Sequence, residues 1–182
     1  MNDKKGIVWI TRTAIFIALL IALQAVTAPL GNIIVTGSIV NLLLVVSVMA
    51  CGLTSGLTVA AISPIMAKYL GIGPLWTLIP FIAAGNIVLV LLWHFIGNRS
   101  IGMKKYDAYI AALVAAAVAK FLVLHIGIVL IAVPVLLDLP EPQAEVISNM
   151  FSIPQLITAL IGGALAVLVF PRLNKAVAWG QK

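Results

Sequence analysis

Two lysines interrupt long apolar runs of this chain, and they are the residues with the clearest chemical potential. Lys120 lies within the run Ala115–Leu122, whose other members are all apolar, and Lys68 lies near the end of another such run. A charge at mid-membrane depth costs about 2.5–3.5 kcal/mol even on the lenient insertion scale. We therefore expect Lys120 to face the interior of a helix bundle, a partner or a ligand. Lys68 is closer to a helix end, where a long stem can carry the ammonium to the interface.

No acidic residue is placed to neutralise Lys120. The five acids all fall in connections or at the edge of an apolar run: Asp3, Asp107, Asp138, Glu141 and Glu145. A bundle that keeps a buried cation without a protein anion is suited to accept an anion from outside. The alternative is a lysine that snorkels toward the interface or whose ammonium pairs with a protein carbonyl group.

Several other polar residues fall at a depth similar to that of Lys120 or Lys68. They are His125, Asn41, Asn86, Trp76, Asn149 and Gln155. We expect them to border one outward-facing pocket, capped by loops at Gly31–Ser38, Gly71–Leu75 and Pro134–Ser148. Other readings stay open: intramembrane amides and imidazoles also join helices by hydrogen bonds, and tryptophan is common in the interfacial aromatic belt.

Motifs for catalysis are absent from the sequence. It contains no phosphate-binding glycine loop, no HExxH, no GxSxG and one cysteine, Cys51. We therefore predict no catalytic residues, no metal site and no enzyme activity. The chain is 63% apolar and 9% charged, whereas a soluble domain is roughly 45–50% apolar and about 25% charged. This composition excludes a soluble enzyme or a nucleic-acid binder, despite a net charge of +6.

The elements that must position these residues are apolar helices. The length of 182 residues accommodates six spans of about 20 residues, and we predict an all-α polytopic membrane protein that forms a single domain, 1–182. The predicted spans are Thr13–Leu30, Ser38–Leu53, Leu57–Leu70, Trp76–Ile96, Ala108–Val133 and Ser152–Phe170. The third span is short, and Ser63-Pro64 is a candidate break in it.

The basic residues predict the orientation, because lysine and arginine in short loops favour the cytoplasmic side. With six spans and a cytoplasmic N-terminus, nine of the eleven basic residues lie inside, and both termini are cytoplasmic. These nine are Lys4, Lys5, Arg12, Arg99, Lys104, Lys105, Arg172, Lys175 and Lys182. Asp138, Glu141 and Glu145 then lie outside.

A stripe of small residues follows the first span. Ala14, Ala18 and Ala22 recur every four positions, a spacing that permits close approach of another helix. Ala159 and Gly163 repeat the spacing in the last span. Each stripe could serve internal packing or docking to a partner.

The chain resembles the substrate-binding S components of energy-coupling factor (ECF) transporters over essentially its whole length. The resemblance rests on Thr11–Ala22, on Gly52–Gly56 followed by Ser63-Pro64, and on Ile153–Leu156 with Gly162-Gly163, together with the size and six spans. It implies a multi-pass protein of a prokaryotic cytoplasmic membrane that captures a vitamin or other micronutrient at an extracellular-side pocket.

The resemblance also implies partners. An S component docks on a membrane T component that two ATPase subunits drive, so ATP is used by those partners and this chain needs no cofactor. The family's docking residues map onto Ala14, Ala18 and Ala22, and its gating loop onto Gly31–Ser38.

From the residues, Lys120 and Lys68 without a buried acid favour a carboxylate-bearing ligand, of the class of lipoate, niacin, pantothenate or biotin. The alternatives are a self-sufficient small carrier or channel and, less favoured, an integral membrane enzyme that acts on a lipid.

Overall fold

The computed structural model describes residues 2–98 and 104–179, and the side chains of 6–97 and 104–171. Every regular element in these residues is helical. The seven α-helices are α1 (Asn2–Thr27), α2 (Ile33–Cys51), α3 (Leu53–Tyr69), α4 (Ile79–Leu92), α5 (Lys105–Leu124), α6 (Glu141–Met150) and α7 (Ile153–Trp179). Short 3-10 turns follow α1 (Ala28–Leu30) and precede α4 (Trp76–Leu78), and π-helical segments extend α4 (Trp93–Asn98) and α5 (His125–Leu136).

Five helical segments are long and apolar enough to cross a membrane: Gly6–Leu30, Ile33–Cys51, Trp76–Gly97, Lys105–Leu136 and Glu141–Pro171. The remaining predicted span, Leu57–Leu70, corresponds to α3, which has 17 residues, somewhat short for a full crossing. The predicted all-α fold is confirmed. Five to six helices are long and apolar enough to cross a membrane, where six spans were predicted, and they indicate a multi-pass membrane protein.

Several predicted element boundaries were wrong. Gly31–Ser38 is not a loop, because α2 already begins at Ile33, where the Asn32 side chain accepts hydrogen bonds from the backbone N–H groups of Ile34 and Val35. The connection expected between the spans Ser38–Leu53 and Leu57–Leu70 is instead confined to Gly52, whose φ of 85° lies in the left-handed region. Helix α3 begins at the next residue.

Two further expectations also fail. Helix α3 is not broken at Ser63-Pro64, and both residues are buried inside it. The connection Pro134–Ser148 is largely helical rather than a loop, because the π-helical segment extends to Leu136 and α6 begins at Glu141. Pro142 lies in the first turn of α6, where its missing N–H costs no helical hydrogen bond.

Helix α2 forms the centre of the bundle and α1 lies at its edge. Half of the apolar span of α2 is buried, but only 11% of that of α1. The core around α2 is built from Leu44, Val45, Val48, Val59 and other residues of α2, α3, α4, α5 and α7. Helix α7 packs closely on α2, because Gly162 leaves no side chain between the two backbones.

The two ends of the helix bundle are formed by different helix ends and connections. Trp9 of α1 donates a hydrogen bond to Thr54 (Nε1 to Oγ1, 3.1 Å), and Thr13 donates to Ser55 (2.9 Å). The first half of α1 therefore lies beside the start of α3. The α1–α2 and α3–α4 connections and the start of α7 lie at the other end, which we call the cavity end because the cavity described below opens among them.

Candidate functional site

Lys120 is buried near the middle of the helical segment Lys105–Leu136, with 3% of its surface exposed. Its ammonium donates two hydrogen bonds, to Asn41 Oδ1 of α2 (2.6 Å) and to Asn86 Oδ1 of α4 (2.8 Å). Both asparagines are buried, at 1% and 2% exposed. The three side chains join α2, α4 and α5, so the predicted inward orientation of Lys120 is confirmed.

Asn41 extends this network to a fourth helix. Its Nδ2 donates to Thr158 Oγ1 of α7 (3.2 Å), and that hydroxyl donates to the backbone carbonyl oxygen of Gln155 (3.1 Å). Thr158 is completely buried. Both ends of the Asn41 amide therefore have protein partners, which fixes its orientation and that of Lys120.

The charge of this network is not balanced by a nearby acid in the described part of the chain. The four acids whose side chains are described, Asp107, Asp138, Glu141 and Glu145, are all exposed. The groups that contact the Lys120 ammonium are neutral amides, which accept two of its three N–H bonds but supply no negative charge.

A cavity of about 460 Å³ adjoins Lys120, within the size range of small-molecule sites. Among the described residues that line it, Lys120 is the one charged residue. Its polar lining is completed by Gln24, Asn32, Thr36, Asn41, Ser63, Asn86 and Gln155, and apolar residues from Leu20 to Phe151 form the remaining walls. The connections Gly31–Asn32 and Ile72–Pro74 also line it, so the cavity lies at the cavity end of the bundle.

Four of the eight predicted binding residues meet at this cavity: Lys120, Asn41, Asn86 and Gln155. Gln155 is half-buried, and its Nε2 donates to the backbone carbonyl oxygen of Met150 (3.0 Å), which links the end of α6 to α7. Of the three connections expected to cap the pocket, residues of the first two line it. The third, Pro134–Ser148, contributes no lining residue, and Met150 and Phe151 line the cavity instead.

The other four predicted binding residues do not line this cavity, so the expectation of one pocket that gathers all eight is corrected. The Lys68 ammonium turns back to the Gly73 carbonyl oxygen (3.5 Å). Trp76 is half-exposed and packs edge-on against Tyr69. Asn149 is exposed on α6.

His125 also lies outside the cavity lining. It stacks on Phe121 at 5.4 Å between ring centroids, and its Nδ1 lies 3.3 Å from Ser152 Oγ. One position in an α-helix corresponds to about 100°, so five positions turn His125 well away from Lys120. It ties the extension of α5 to the start of α7.

The two stripes of small residues have different environments. Ala14, Ala18 and Ala22 are exposed on α1, on a face with no covering helix in the described structure. Ala159 is 2% exposed, and a methyl group at Gly163 would overlap Leu113 of α5. The α7 stripe therefore serves internal packing.

Five polar residues of this site were not predicted individually: Gln24, Asn32, Thr36, Ser63 and Thr158. Asn32 and Thr36 do belong to Gly31–Ser38, which was expected to cap the pocket. Gln24 was detectable, since it is the one amide within the first apolar run. Its Oε1 is sealed from solvent and has no hydrogen-bond partner in the described residues, although the residue lines the cavity. Small hydroxyl residues are common in apolar helices, so the sequence carried no signal for Ser63 or Thr158.

The described residues contain no group of three or more His, Cys, Asp or Glu side chains that could hold a metal ion. The chemistry that the site offers is therefore that of one ammonium, several amides and hydroxyls, and apolar walls. No family model, no curated protein and no solved structure matches the chain.

Proposed function

We propose that this protein is the substrate-binding S component of an ECF-type importer, which captures a small carboxylate-bearing micronutrient at the cavity beside Lys120. The observation that carries the proposal is the buried ammonium of Lys120 beside a cavity of about 460 Å³, with two neutral amide oxygens as its protein partners. The resemblance in sequence supplies the transporter class, and the cavity supplies the ligand chemistry.

The unbalanced positive charge of Lys120 favours an anionic ligand. Holding a cation deep in an apolar bundle is costly, and hydrogen bonds from neutral oxygens offset only part of this cost. A carboxylate in the cavity would supply the missing negative charge. It would also gain a charge-assisted hydrogen bond, which is stronger than one between neutral groups. The mostly apolar walls suit the rest of a small or amphipathic molecule, such as lipoate, niacin, pantothenate or biotin.

The orientation supports capture from outside a prokaryotic cytoplasmic membrane. Helix α5 begins at Lys105, directly after Lys104, at the end of the bundle opposite the cavity end. Lys4 and Lys5, at the start of α1, lie toward that same end. Arg99 and Lys182 lie outside the described residues. By the positive-inside rule the basic end is cytoplasmic, so the cavity opens toward the extracellular side.

The exposed face of α1 supports docking to a membrane partner. Ala14, Ala18 and Ala22 give a surface without long side chains, and α1 is the least buried of the spanning segments. Small residues let a second helix approach closely in a membrane. In the proposed complex this partner is the T component, and two ATPase subunits supply the ATP-driven step.

The proposal is tested by purifying the tagged protein from its native host in mild detergent. We expect a T component and two ATPases to co-purify, and native mass spectrometry to show one small acid bound per chain. The matched test uses liposomes that contain this protein alone, in which we expect binding without uptake. Uptake by the chain alone would instead identify a self-sufficient carrier, and turnover of a lipid would identify an enzyme. Either result, or the absence of ATPases, contradicts the proposal.

A further inference from the structure

The two asparagines beside Lys120 use their amide groups differently. Asn41 has protein partners at both ends of its amide, Lys120 at Oδ1 and Thr158 at Nδ2. Asn86 has a partner at Oδ1, again Lys120. Its Nδ2 has no hydrogen-bond partner in the described residues. The partnerless side-chain atoms that are sealed from solvent do not include this nitrogen, so it keeps some accessible surface. Since Asn86 lines the cavity, we take this NH2 group to be reachable from it.

Lys120 also has a donor to spare. An ammonium carries three N–H bonds, and two of them are taken by Asn41 and Asn86. The third has no acceptor in the described part of the chain. The hydrogen bond between Lys120 Nζ and Asn86 Oδ1 holds the ammonium next to the Asn86 amide, so the third N–H and the Asn86 NH2 are neighbouring donors beside one cavity.

We infer that the cavity binds one monoanionic carboxylate head group, with one oxygen on Lys120 Nζ and the other on Asn86 Nδ2, while Asn41 positions Lys120. This inference rests on the proposed function and specifies the head group and the residues that select it. A carboxylate has two acceptor oxygens and no donor, which matches two neighbouring donors. A carboxamide would place its own NH2 against one of them.

The charge count sets the ligand charge at one. Lys120 is the one charged residue among the described lining residues. Lys68 is not among them, and its ammonium lies 3.5 Å from the Gly73 carbonyl oxygen. A single carboxylate neutralises the site. A dicarboxylate or a phosphate monoester would leave a second negative charge in an apolar cavity without a partner, which is strongly unfavourable.

The experiment uses the full chain in detergent and four pairs of probes, each a monocarboxylate and its primary carboxamide: biotin, lipoate, nicotinate and pantothenate. Isothermal titration is expected to show at least one acid bound, and bound about 10- to 100-fold more tightly than its amide, since hydrogen bonds to charged groups are the stronger ones. Succinate serves as the dicarboxylate probe and is expected to bind weakly.

Two matched variants separate the roles of the asparagines. Asn41→Leu and Asn86→Leu each remove one oxygen from Lys120, but Asn86→Leu alone removes a free NH2 group. We expect Asn86→Leu to lose about tenfold more affinity for the bound acid than Asn41→Leu and to reduce the preference for acid over amide. Asn41→Leu should keep that preference and show the greater loss of thermal stability. If Asn41→Leu does not fold, Thr158→Val takes its place, because it removes the partner of Nδ2 and leaves both Lys120 contacts intact.

Four results would overturn the inference: an amide that binds as tightly as its acid, succinate that binds as tightly as the best monocarboxylate, an equal loss of preference in the two asparagine variants, or no binding of any acid. Co-purification of the ATPases tests the proposed function separately. Their presence without acid binding would reject the head group and keep the transporter class, and their absence with selective acid binding would do the reverse.

Discussion

Replacing Lys120 by methionine tests the anion site most directly. Methionine keeps an unbranched apolar side chain but removes the ammonium and its hydrogen bonds to Asn41 and Asn86. A hydrogen bond to a charged group contributes about 1.5–3 kcal/mol. Because about 1.4 kcal/mol corresponds to a factor of ten in affinity, the variant should bind the acid about 10- to 150-fold more weakly than the unchanged protein.

The same substitution should leave the protein folded, because its effects on stability largely cancel. Removing an uncompensated charge from mid-membrane depth is favourable by about 2.5–3.5 kcal/mol. Leaving the Asn41 and Asn86 oxygens without a donor is unfavourable by about 1–3 kcal/mol each. The net change therefore lies between about 1.5 kcal/mol of stabilisation and about 3.5 kcal/mol of destabilisation. A thermal melt and gel filtration of the empty protein check this.

The assay is isothermal titration with the acid that binds the unchanged protein most tightly. Lys68→Met is the matched control, because it removes the same charge at a half-buried residue that is not among the lining residues of the cavity. We expect the control to change the affinity less than about twofold, within the range of an exposed charge. Undiminished affinity in folded Lys120→Met, or an equal loss in both variants, would refute the assignment of Lys120 as the anion contact.

Three further predictions concern packing and docking. Gly162→Ala should destabilise the protein by about 1–3 kcal/mol in a thermal melt, because the new methyl group would lie 2.5 Å from the Ser38 carbonyl oxygen. Gly6→Ala is the control: no atom lies within 4 Å of the new methyl group, so this variant should be neutral or slightly stabilising. Ser38→Ala should raise the melting temperature, because it removes a buried Oγ without a partner in the described residues, a group that costs about 1–3 kcal/mol. Ala18→Trp should abolish co-purification of the T component and leave ligand binding unchanged, because Ala18 is exposed and does not line the cavity. Ile161→Trp, on the exposed face of α7, is the control and should change neither the co-purification nor the ligand binding.

Each of these has a contrary outcome. Equal stability of the two glycine variants would show that α2 and α7 can separate without cost. A lower melting temperature for Ser38→Ala would mean that its hydroxyl is satisfied in the membrane. Retained association in Ala18→Trp would place the docking surface elsewhere.

Much of the fold was predictable because hydropathy acts locally. Apolar runs interrupted by Gly and Pro identify the spanning helices, since a buried backbone without water must form its hydrogen bonds within each segment. The ends were less predictable, because they depend on caps and turns. Helix α2 begins at Ile33, where Asn32 caps it, rather than at the predicted Ser38. Helix α6 forms within Pro134–Ser148, a segment that contains three prolines and three acids.

The depth of the candidate site residues along their helices was predictable, but the direction in which their side chains point was not. Lys120, Asn41, Asn86 and Gln155 were correctly expected to meet, whereas His125 and Trp76 share a similar depth and point elsewhere. Depth follows from position along a helix. The direction of a side chain follows from how that helix is rotated against its neighbours, which the sequence of one helix does not state.

The sequence by itself determined that this is a multi-helix chain for an apolar environment and that one lysine must face inward, because composition and the cost of a buried charge require both. The tertiary structure alone decided what surrounds that lysine. The rotation of α2, α4 and α7 brings two amide oxygens to one ammonium, gives Asn41 a second partner and leaves the Asn86 NH2 without one among the described residues. That arrangement depends on side-chain packing between helices far apart in the chain, and it turns an inward-facing charge into a specific candidate binding site.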